Sequence, residues 1–280
     1  MEKLDLKGLR LAAAKSRLLA VDAVHEAASG HPGGSLSCLD MLTALYFHEM
    51  NIDPADPKNP ERDRFVLSKG HCSPALYATL AQRGFFPVED LKLFRSIKAH
   101  LSGHPDMVNV PGVDMSTGSL GQGLSAAVGM ALAARQLGRS YRTYVICGDG
   151  EMEEGQIWEA VMAAAKWQLD NLCIFVDVNG LQIDGPTAQV MPTDPLDAKF
   201  AAFHWHVVKI DGNDMEAILA ALDEARTVKG QPTVILGATT KGKGVSFMEN
   251  QVGWHGKAPN DEQFAQARAE LEAAIKELEG

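Results

Sequence analysis

The chain has 280 residues, of which 46% are hydrophobic and 22% are charged. This usage is ordinary for globular proteins and excludes a disordered or fibrous protein. The length suits one large domain or two small ones. The net charge of −10 at pH 7 provides no cationic surface field for a phosphate backbone, so nucleic acid is not an expected partner.

The N-terminal segment and the cysteines indicate where the protein works. The first residues lack the pattern of a signal peptide, and no apolar run reaches the roughly 18 residues that span a bilayer. The four cysteines are widely spaced and form no CxxC pair, which argues against a disulfide framework and a zinc site. We therefore expect a cytoplasmic protein that does not associate with a membrane.

The chain begins with helical patterns and continues with alternating strands and helices. Ala- and Leu-rich segments predict helices over residues 9–28 and 39–47, and a Pro-rich loop follows at 51–64. Short runs rich in Val, Ile and Tyr predict strands over 64–68, 143–147, 172–178, 206–210 and 232–239. Helical patterns lie between them at about 72–82, 121–137, 155–169 and 214–228.

Continuous apolar strands that alternate with helices are typical of a parallel sheet covered on both faces. We therefore predict an α/β fold, a three-layer α/β/α sandwich with a mainly parallel central sheet. The last segment predicts an amphipathic helix over 261–279. We expect this helix to pack on its own domain rather than to bind a partner.

The ends of the predicted strands are rich in Gly, His, Asp and Asn, and ligands of parallel sheets bind beyond the carboxyl ends of the strands. Asp149 and Asn179 follow two strands, 30 residues apart, with one helix between them. In such a βαβ unit a carboxylate and an amide oxygen can converge on one cation. These hard ligands favour Mg²⁺ or Ca²⁺ over zinc, and Mg²⁺ commonly completes its shell with phosphate oxygens and water. The flanking Gly148 and Gly150 permit close backbone approach, so a diphosphate ligand is implied.

Each of these features has a structural alternative. An Asp between two glycines is often only a tight turn. Acids such as Glu151 and Glu153 are favoured near a helix N-terminus whatever they do. The glycine cluster at 116–123 has the spacing GxxGxG without a preceding strand, which disfavours NAD and leaves tight helix packing as an explanation. Histidines beside glycines suit polar ligands, but a lone histidine is usually structural.

Taken together, the motifs resemble the thiamine diphosphate-binding half of transketolase. The resemblance covers nearly the whole chain and implies a single thiamine diphosphate-binding (pyrophosphate-type) domain over residues 1–280. The motifs that carry it are, in chain order, SGHPGG (29–34), SKGH (68–71), SGHP (102–105), STGSLGQG (116–123), GDGEMEEG (148–155), DVNGLQIDG (177–185), TKGKGVSFMEN (240–250) and WHG (254–256).

The resemblance implies roles for particular residues. Asp149, Asn179 and the backbone carbonyl of Leu181 would hold Mg²⁺, with Ca²⁺ or Mn²⁺ as alternatives. The residues implied to contact thiamine diphosphate are His71, Gly118, Leu120, Gly150, Glu154, Asn179, Ile183 and His255. The residues implied to be catalytic are His31, His104 and His255, which would face the sugar, and Glu154 and Glu159, in a carboxylate network between the two cofactor sites of a dimer.

The resemblance also implies a partner. A full-length transketolase continues into a domain that binds the aminopyrimidine and supplies an activating Glu, whereas this chain ends at Gly280. We therefore expect the N-terminal subunit of a split transketolase, which would be inactive without a separate C-terminal subunit. The two would form an α₂β₂ heterotetramer. The enzyme would transfer a two-carbon ketol unit from a ketose phosphate to an aldose phosphate, as in the pentose phosphate pathway.

Two other functions remain open. The α subunit of a 2-oxoacid dehydrogenase or decarboxylase also carries this metal motif on a separate chain. A non-catalytic module that only binds thiamine diphosphate would carry it as well. The histidine-bearing motifs SGHPGG, SKGH and WHG favour transketolase over the 2-oxoacid enzymes.

Overall fold

The computed structural model describes residues 3–97 and 99–280. The strands are β1 (Arg64–Leu67), β2 (Thr143–Gly148), β3 (Leu172–Val178), β4 (Leu181–Gln182), β5 (Gly185–Pro186), β6 (His206–Asp211) and β7 (Thr233–Ala238). The α-helices are α1 (Leu6–Glu26), α2 (Pro32–Ser37), α3 (Leu39–Ala44), α4 (Ser73–Arg83), α5 (Gln122–Gln136), α6 (Gly155–Lys166), α7 (Thr187–Val190), α8 (Leu196–Ala202), α9 (Met215–Thr227) and α10 (Asp261–Glu279). Short 3₁₀ turns precede α4, at Gly70–Cys72, and α6, at Gly150–Glu153.

The central sheet has five strands in the order β1-β2-β3-β7-β6, and every neighbouring pair is parallel. β4 and β5 form a separate two-stranded antiparallel hairpin. The register places Gly148 opposite Asp177, and Asp177 opposite Gly237. The carboxyl ends of the three central strands therefore lie at one level.

Side chains alternate along the strands and form one apolar core on each face of the sheet. On one face Tyr144 and Phe175 pack with α1, α3, α4 and α9, and on the other Val145 and Ile174 pack with α5, α6 and α8. The predicted sandwich of helices on both faces of a parallel sheet is thus confirmed. Its strands differ from their predicted limits by one residue at most.

The helices differ more from the predictions than the strands do. The SGHPGG segment lies between the helices predicted over 9–28 and 39–47, but in the structure Pro32 begins the short helix α2, because proline is well suited to a first helical position. Helix α8 and the β4–β5 hairpin were not predicted, since both are too short to show a periodic pattern. Within the described residues, no helix has both the length and the apolar character needed to cross a membrane.

The C-terminal helix α10 packs on its own domain, as expected. Ala267 and Leu271 are fully buried in the core that α1 also lines. Phe264 stacks on His25 of α1 with ring centroids 3.8 Å apart. Asn260 and Gln263 begin the helix with a capping box, in which each side chain bonds the backbone N–H of the other residue.

Candidate cofactor and metal site

A cleft of about 340 Å³ opens at the carboxyl ends of the central strands. This is where a parallel sheet commonly binds its ligands. Many of the predicted site residues line this cleft. They are His71, Leu120, Asp149, Gly150, Glu154, Asn179, Leu181, Ile183 and His255. The folding of distant segments thus brings most of the predicted site into one place.

Asp149 follows β2 at the floor of the cleft and is only 4% exposed. Its Oδ1 accepts a hydrogen bond from the Gly150 N–H (2.9 Å) and its Oδ2 one from the Gly180 N–H (2.6 Å). The second of these bonds requires a sharp turn after β3, which Gly180 provides with a φ of +73°. Burial, together with the nearby Asp177 carboxylate, raises the pKa of Asp149 to about 6. A buried acid with this environment is well suited to a cationic ligand.

Asn179 lies on the turn after β3, and Leu181 is the first residue of the β4–β5 hairpin. The Asn179 Oδ1 accepts from the Leu181 N–H (3.2 Å), and the Leu181 carbonyl accepts from the Lys241 Nζ (2.9 Å). Each of these oxygens has a second lone pair for a cation. Among the described residues no group of three or more His, Cys, Asp and Glu could hold a metal. A carboxylate, an amide and a carbonyl oxygen instead form a hard donor set that fits Mg²⁺.

A buried ion pair lies directly behind these oxygens. Asp177 is fully buried and accepts hydrogen bonds from Ser37 Oγ (2.6 Å), Thr239 Oγ1 and the ammonium of Lys69. Burial by itself would lower the pKa of Lys69, but the Asp177 carboxylate raises it well above its ordinary value. The Asn179 Nδ2 also donates to Asp177 (3.2 Å). This contact leaves the amide oxygen of Asn179 to accept from the Leu181 N–H.

His31, His71 and His255 form a cluster at one side of the cleft. Their ring centroids are 5.2 Å (His31–His71), 5.7 Å (His31–His255) and 5.1 Å (His71–His255) apart. Burial, with a further contribution from His71, lowers the pKa of His31 to about 4. Burial and the Lys241 ammonium lower the pKa of His255 to about 3. Both rings are therefore neutral at pH 7 and can donate one hydrogen bond and accept another.

His104 and Gly118 are not in the lining of the cleft but contact each other beside it. Gly118 has a φ of +146°, and a Cβ at this position would lie 2.9 Å from His104 Cδ2. The glycine therefore permits the close approach of the imidazole, and its predicted contact with the cofactor stays a prediction. Partial burial, with a smaller effect of Arg95, lowers the pKa of His104.

The acids after β2 differ in position. Glu151 is 3% exposed and accepts hydrogen bonds from Ser68 Oγ, the Gly121 N–H (2.8 Å) and the Gly148 N–H (3.1 Å). It therefore joins three loops, a role that its place near a helix N-terminus did not indicate. Glu154 lines the cleft and is exposed, whereas Glu159 is exposed on α6 outside the cleft.

Sequence reasoning did not assign a function to several residues of the site. Lys69, Lys241, Gly34 and Gln182 all line the cleft. The two lysines lie shortly after β1 and β7 in the segments SKGH and TKGKG, so their position near strand ends was a usable signal. Gly34 and Gln182 come from α2 and β4, which were not predicted.

Comparison with known proteins places this site in a family. The family described as "Transketolase, thiamine diphosphate binding domain" matches residues 9–277. The 6-deoxy-6-sulfo-D-fructose transketolase subunit SqwG of Clostridium sp. (strain MSTE9) is 49% identical over 256 residues, which cover 91% of this chain and 93% of the relative. An apulose-4-phosphate transketolase subunit of Phocaeicola vulgatus is 44% identical over 276 residues, which cover 99% and 98%.

Solved structures agree with these relatives. Transketolase from Leishmania mexicana superposes with a TM-score of 0.89 at 31% sequence identity, covering 99% of this chain and 45% of that chain. The chain therefore belongs to the transketolase family, as its thiamine diphosphate-binding domain. Its relatives are transketolases and transketolase subunits, so it is a component of a transketolase-type transferase, and the predicted resemblance is confirmed.

Proposed function

We propose that this chain is the N-terminal subunit of a thiamine diphosphate- and Mg²⁺-dependent transketolase. It would transfer a two-carbon ketol unit from a ketose phosphate to an aldose phosphate together with a separate C-terminal subunit. The observation that carries the proposal is the convergence of Asp149, Asn179 and the Leu181 carbonyl on a cleft that is also lined by the neutral His255.

The metal and the diphosphate would share the floor of the cleft. Asp149, Asn179 and the Leu181 carbonyl would hold Mg²⁺ (or Ca²⁺ or Mn²⁺), and this ion would supply positive charge to the diphosphate. The Gly150 backbone, His71 and His255 would contact the diphosphate, while Leu120 and Ile183 would contact the thiazolium. The cofactor, when bound, supplies the nucleophile that takes up the two-carbon unit.

The histidines would act on the sugar. His31, His104 and His255 would bind hydroxyl groups and move protons at the substrate oxygens. A neutral imidazole is the form this requires, because it has both a donor and an acceptor nitrogen. The depressed pKa values of all three rings support this role.

The partner would complete the site. We propose that residues 1–280 form a single domain, and that the C-terminal subunit binds the aminopyrimidine and supplies the activating Glu. Ile183 is 64% exposed beside the cleft, which suits a site that a second surface covers. Glu154 and Glu159 would belong to the dimer contact of an α₂β₂ assembly. The four free and buried cysteines accord with a cytoplasmic location.

The substrate sugars are the most specific part of the proposal. The names of the two relatives specify 6-deoxy-6-sulfo-D-fructose and apulose 4-phosphate, which are different ketoses. A place in the pentose phosphate pathway therefore remains a prediction for this chain. A panel of ketose donors, including xylulose 5-phosphate and these two sugars, would identify the substrate.

Reconstitution would test the proposal. The full chain is mixed with the C-terminal subunit that co-purifies with it from the native host, together with Mg²⁺, thiamine diphosphate and the donor panel. We expect ketol transfer that neither protein shows alone, and no transfer by the Asp149→Ala variant, because the diphosphate then loses its bound metal. Decarboxylation of 2-oxoacids without ketol transfer, or thiamine diphosphate binding without any turnover, would contradict the proposal.

A further inference from the structure

A second cavity lies at the other end of β1 from the cofactor cleft. Its volume is about 490 Å³, against about 340 Å³ for the cleft. One wall belongs to the segment 57–64, which leads into β1, and the other to the loop 107–114. None of the residues that line this cavity lines the cofactor cleft. The cavity is therefore a separate feature of the fold.

The charges of the residues that line this cavity do not balance. Three of these side chains are cations, Lys58, Arg62 and Arg64. Asp114 is the only acid among the described residues of the lining, and both of its oxygens accept hydrogen bonds from the Arg62 guanidinium. Lys58 and Arg64 form no ion pair with any carboxylate in the described part of the chain. The cavity thus keeps two uncompensated positive charges in a chain of net charge −10.

Arg64 is held in place by neutral groups. Its Nη1 donates to the Asn59 carbonyl (3.3 Å) and its Nη2 to the Pro60 carbonyl (3.1 Å). Its guanidinium lies over the Tyr141 ring, 4.9 Å from the centroid. Burial, with a smaller effect of Arg62, lowers the pKa of Arg64. A guanidinium has five N–H donors, so donors remain for an anion in the cavity.

The loop 107–114 gives the cavity an apolar surface beside these cations. Met107 and Val108 are 49% and 83% exposed, whereas Val110 and Val113 are buried. Exposed apolar groups next to cations suit a ligand that has both an anionic group and an apolar body. A phosphate monoester matches the two free charges, because it carries about −1.5 to −2 at pH 7 and has three acceptor oxygens.

This loop is connected to the rest of the chain at two points. The Thr117 N–H closes its base by donating to the Pro105 carbonyl (3.3 Å). Asp114 attaches it to β1 by accepting from the Phe65 N–H (2.9 Å). A ligand in the cavity would contact both the loop and the segment before β1. It would therefore stabilise the loop against local opening.

We infer that this cavity is a binding site for a phosphate monoester with an apolar body. Arg64 and Lys58 would bind the phosphate group, and Met107 and Val108 would contact the organic body. The inference does not rest on the proposed function, because the cavity and the cofactor cleft share no lining residue. A ligand bound here would leave the cofactor cleft free.

The test uses the full chain and phenyl phosphate, a probe that joins a dianionic group to an apolar ring. Mg²⁺ is omitted, since the proposed diphosphate site depends on it. Calorimetry measures the affinity for the probe. We expect it to fall about tenfold or more in Arg64→Gln, because a charge-assisted bond is lost. In Lys58→Gln we expect a fall of about threefold, because the charge of this exposed side chain is partly screened.

Matched controls separate the site from general surface charge. Lys7→Gln also removes the charge of an exposed lysine, but outside the cavity, and should bind phenyl phosphate as the wild type does. Phenyl sulfate keeps the ring with a single negative charge, and inorganic phosphate keeps the charge without the ring. Both should bind the wild type at least about threefold more weakly than phenyl phosphate.

Hydrogen exchange locates the bound probe. We expect saturating phenyl phosphate to slow amide exchange within 107–114 and to leave α10 unchanged. Wild-type affinity for phenyl phosphate in both Arg64→Gln and Lys58→Gln would overturn the site, as would unchanged exchange within the loop. Equal affinity for phenyl sulfate and phenyl phosphate would overturn the assignment to a phosphate monoester.

Discussion

Two buried histidines make the stability of the folded chain depend on pH. Burial is the main cause of the low pKa values of His31, about 4, and His255, about 3. When the chain unfolds, each ring regains an ordinary pKa of about 6.5 and takes up a proton below it. The unfolded state thus binds more protons than the folded state in this window. Stability conferred by the neutral rings is present above pH 6.5 and is lost as the pH falls towards 4.

We therefore expect the free energy of unfolding to decrease as the pH is lowered from about 6.5 to about 4.5. Urea denaturation at both pH values would measure it. The decrease should be smaller in His31→Asn, because this position then no longer titrates. The control is His204→Asn, in which the decrease should equal that of the wild type. It replaces an exposed histidine with a residue that tolerates the positive φ of this position. An equal decrease in wild type and His31→Asn would show that His31 does not contribute.

His104 provides a test of substrate contact, because it lies outside the lining of the cofactor cleft. In the reconstituted enzyme we expect His104→Ala to lower kcat/KM by about tenfold to a hundredfold, the usual range for a lost substrate or proton-transfer group. Affinity for thiamine diphosphate should change by less than about twofold. Steady-state kinetics and calorimetry measure the two effects.

Gly118→Ala is the matched variant for this prediction. Its added Cβ would lie 2.9 Å from the His104 ring, so the imidazole has to move. The variant should therefore show the same kinetic defect without removing the histidine. A parallel loss of cofactor affinity and melting temperature in His104→Ala would indicate a structural role instead.

Helix α10 shows how one element is fixed to the rest of the chain. Its capping box at Asn260 and Gln263 satisfies N–H groups that begin the helix, and Leu271 inserts into the core. We expect Asn260→Ala to lower the free energy of unfolding by about 1 kcal/mol, because the cap is lost. Urea denaturation would measure this change.

The control for α10 is Glu277→Ala, which replaces an exposed residue near the other end of the helix. It should change the free energy of unfolding by less than about 0.5 kcal/mol, as surface substitutions usually do. If Asn260→Ala were as silent as this control, the capping box would not contribute to stability.

The whole molecule presents an open cleft, and this openness has a thermodynamic consequence. Thiamine diphosphate bound here would contact this chain at its diphosphate and thiazolium, while the partner would contact the aminopyrimidine. Contacts on both sides of one ligand couple the two binding equilibria. We expect the affinity for thiamine diphosphate in Mg²⁺ to rise by about tenfold or more when the C-terminal subunit is present.

Calorimetry with and without the partner would measure this coupling. By reciprocity, thiamine diphosphate should tighten the association of the two subunits by the same factor. Equal cofactor affinity in the free chain and in the complex would show that the partner makes no contact with the bound cofactor. The whole cofactor site would then have to lie on this chain, with Glu154 and Glu159 as the first acids to examine.

The sequence by itself determined the five strands of the central sheet, their parallel arrangement and the two strand ends that Asp149 and Asn179 follow. It could do so because strands buried on both faces are continuously apolar, and because a βαβ unit brings successive carboxyl ends to one edge. The motifs also indicated the transketolase family. These features depend on residues that are close in the chain or separated by a single helix.

Only the tertiary structure decided how remote segments meet. The pairing of Lys69 with Asp177, the three loops joined by Glu151, and the position of Lys241 on the Leu181 carbonyl each link residues from different elements. No local pattern encodes such contacts, because a buried charge selects its partner by distance in the folded state and not by spacing in the chain. The charged residues of the site can therefore be identified in the sequence. Their effects on one another's pKa depend on burial, which only the folded structure shows.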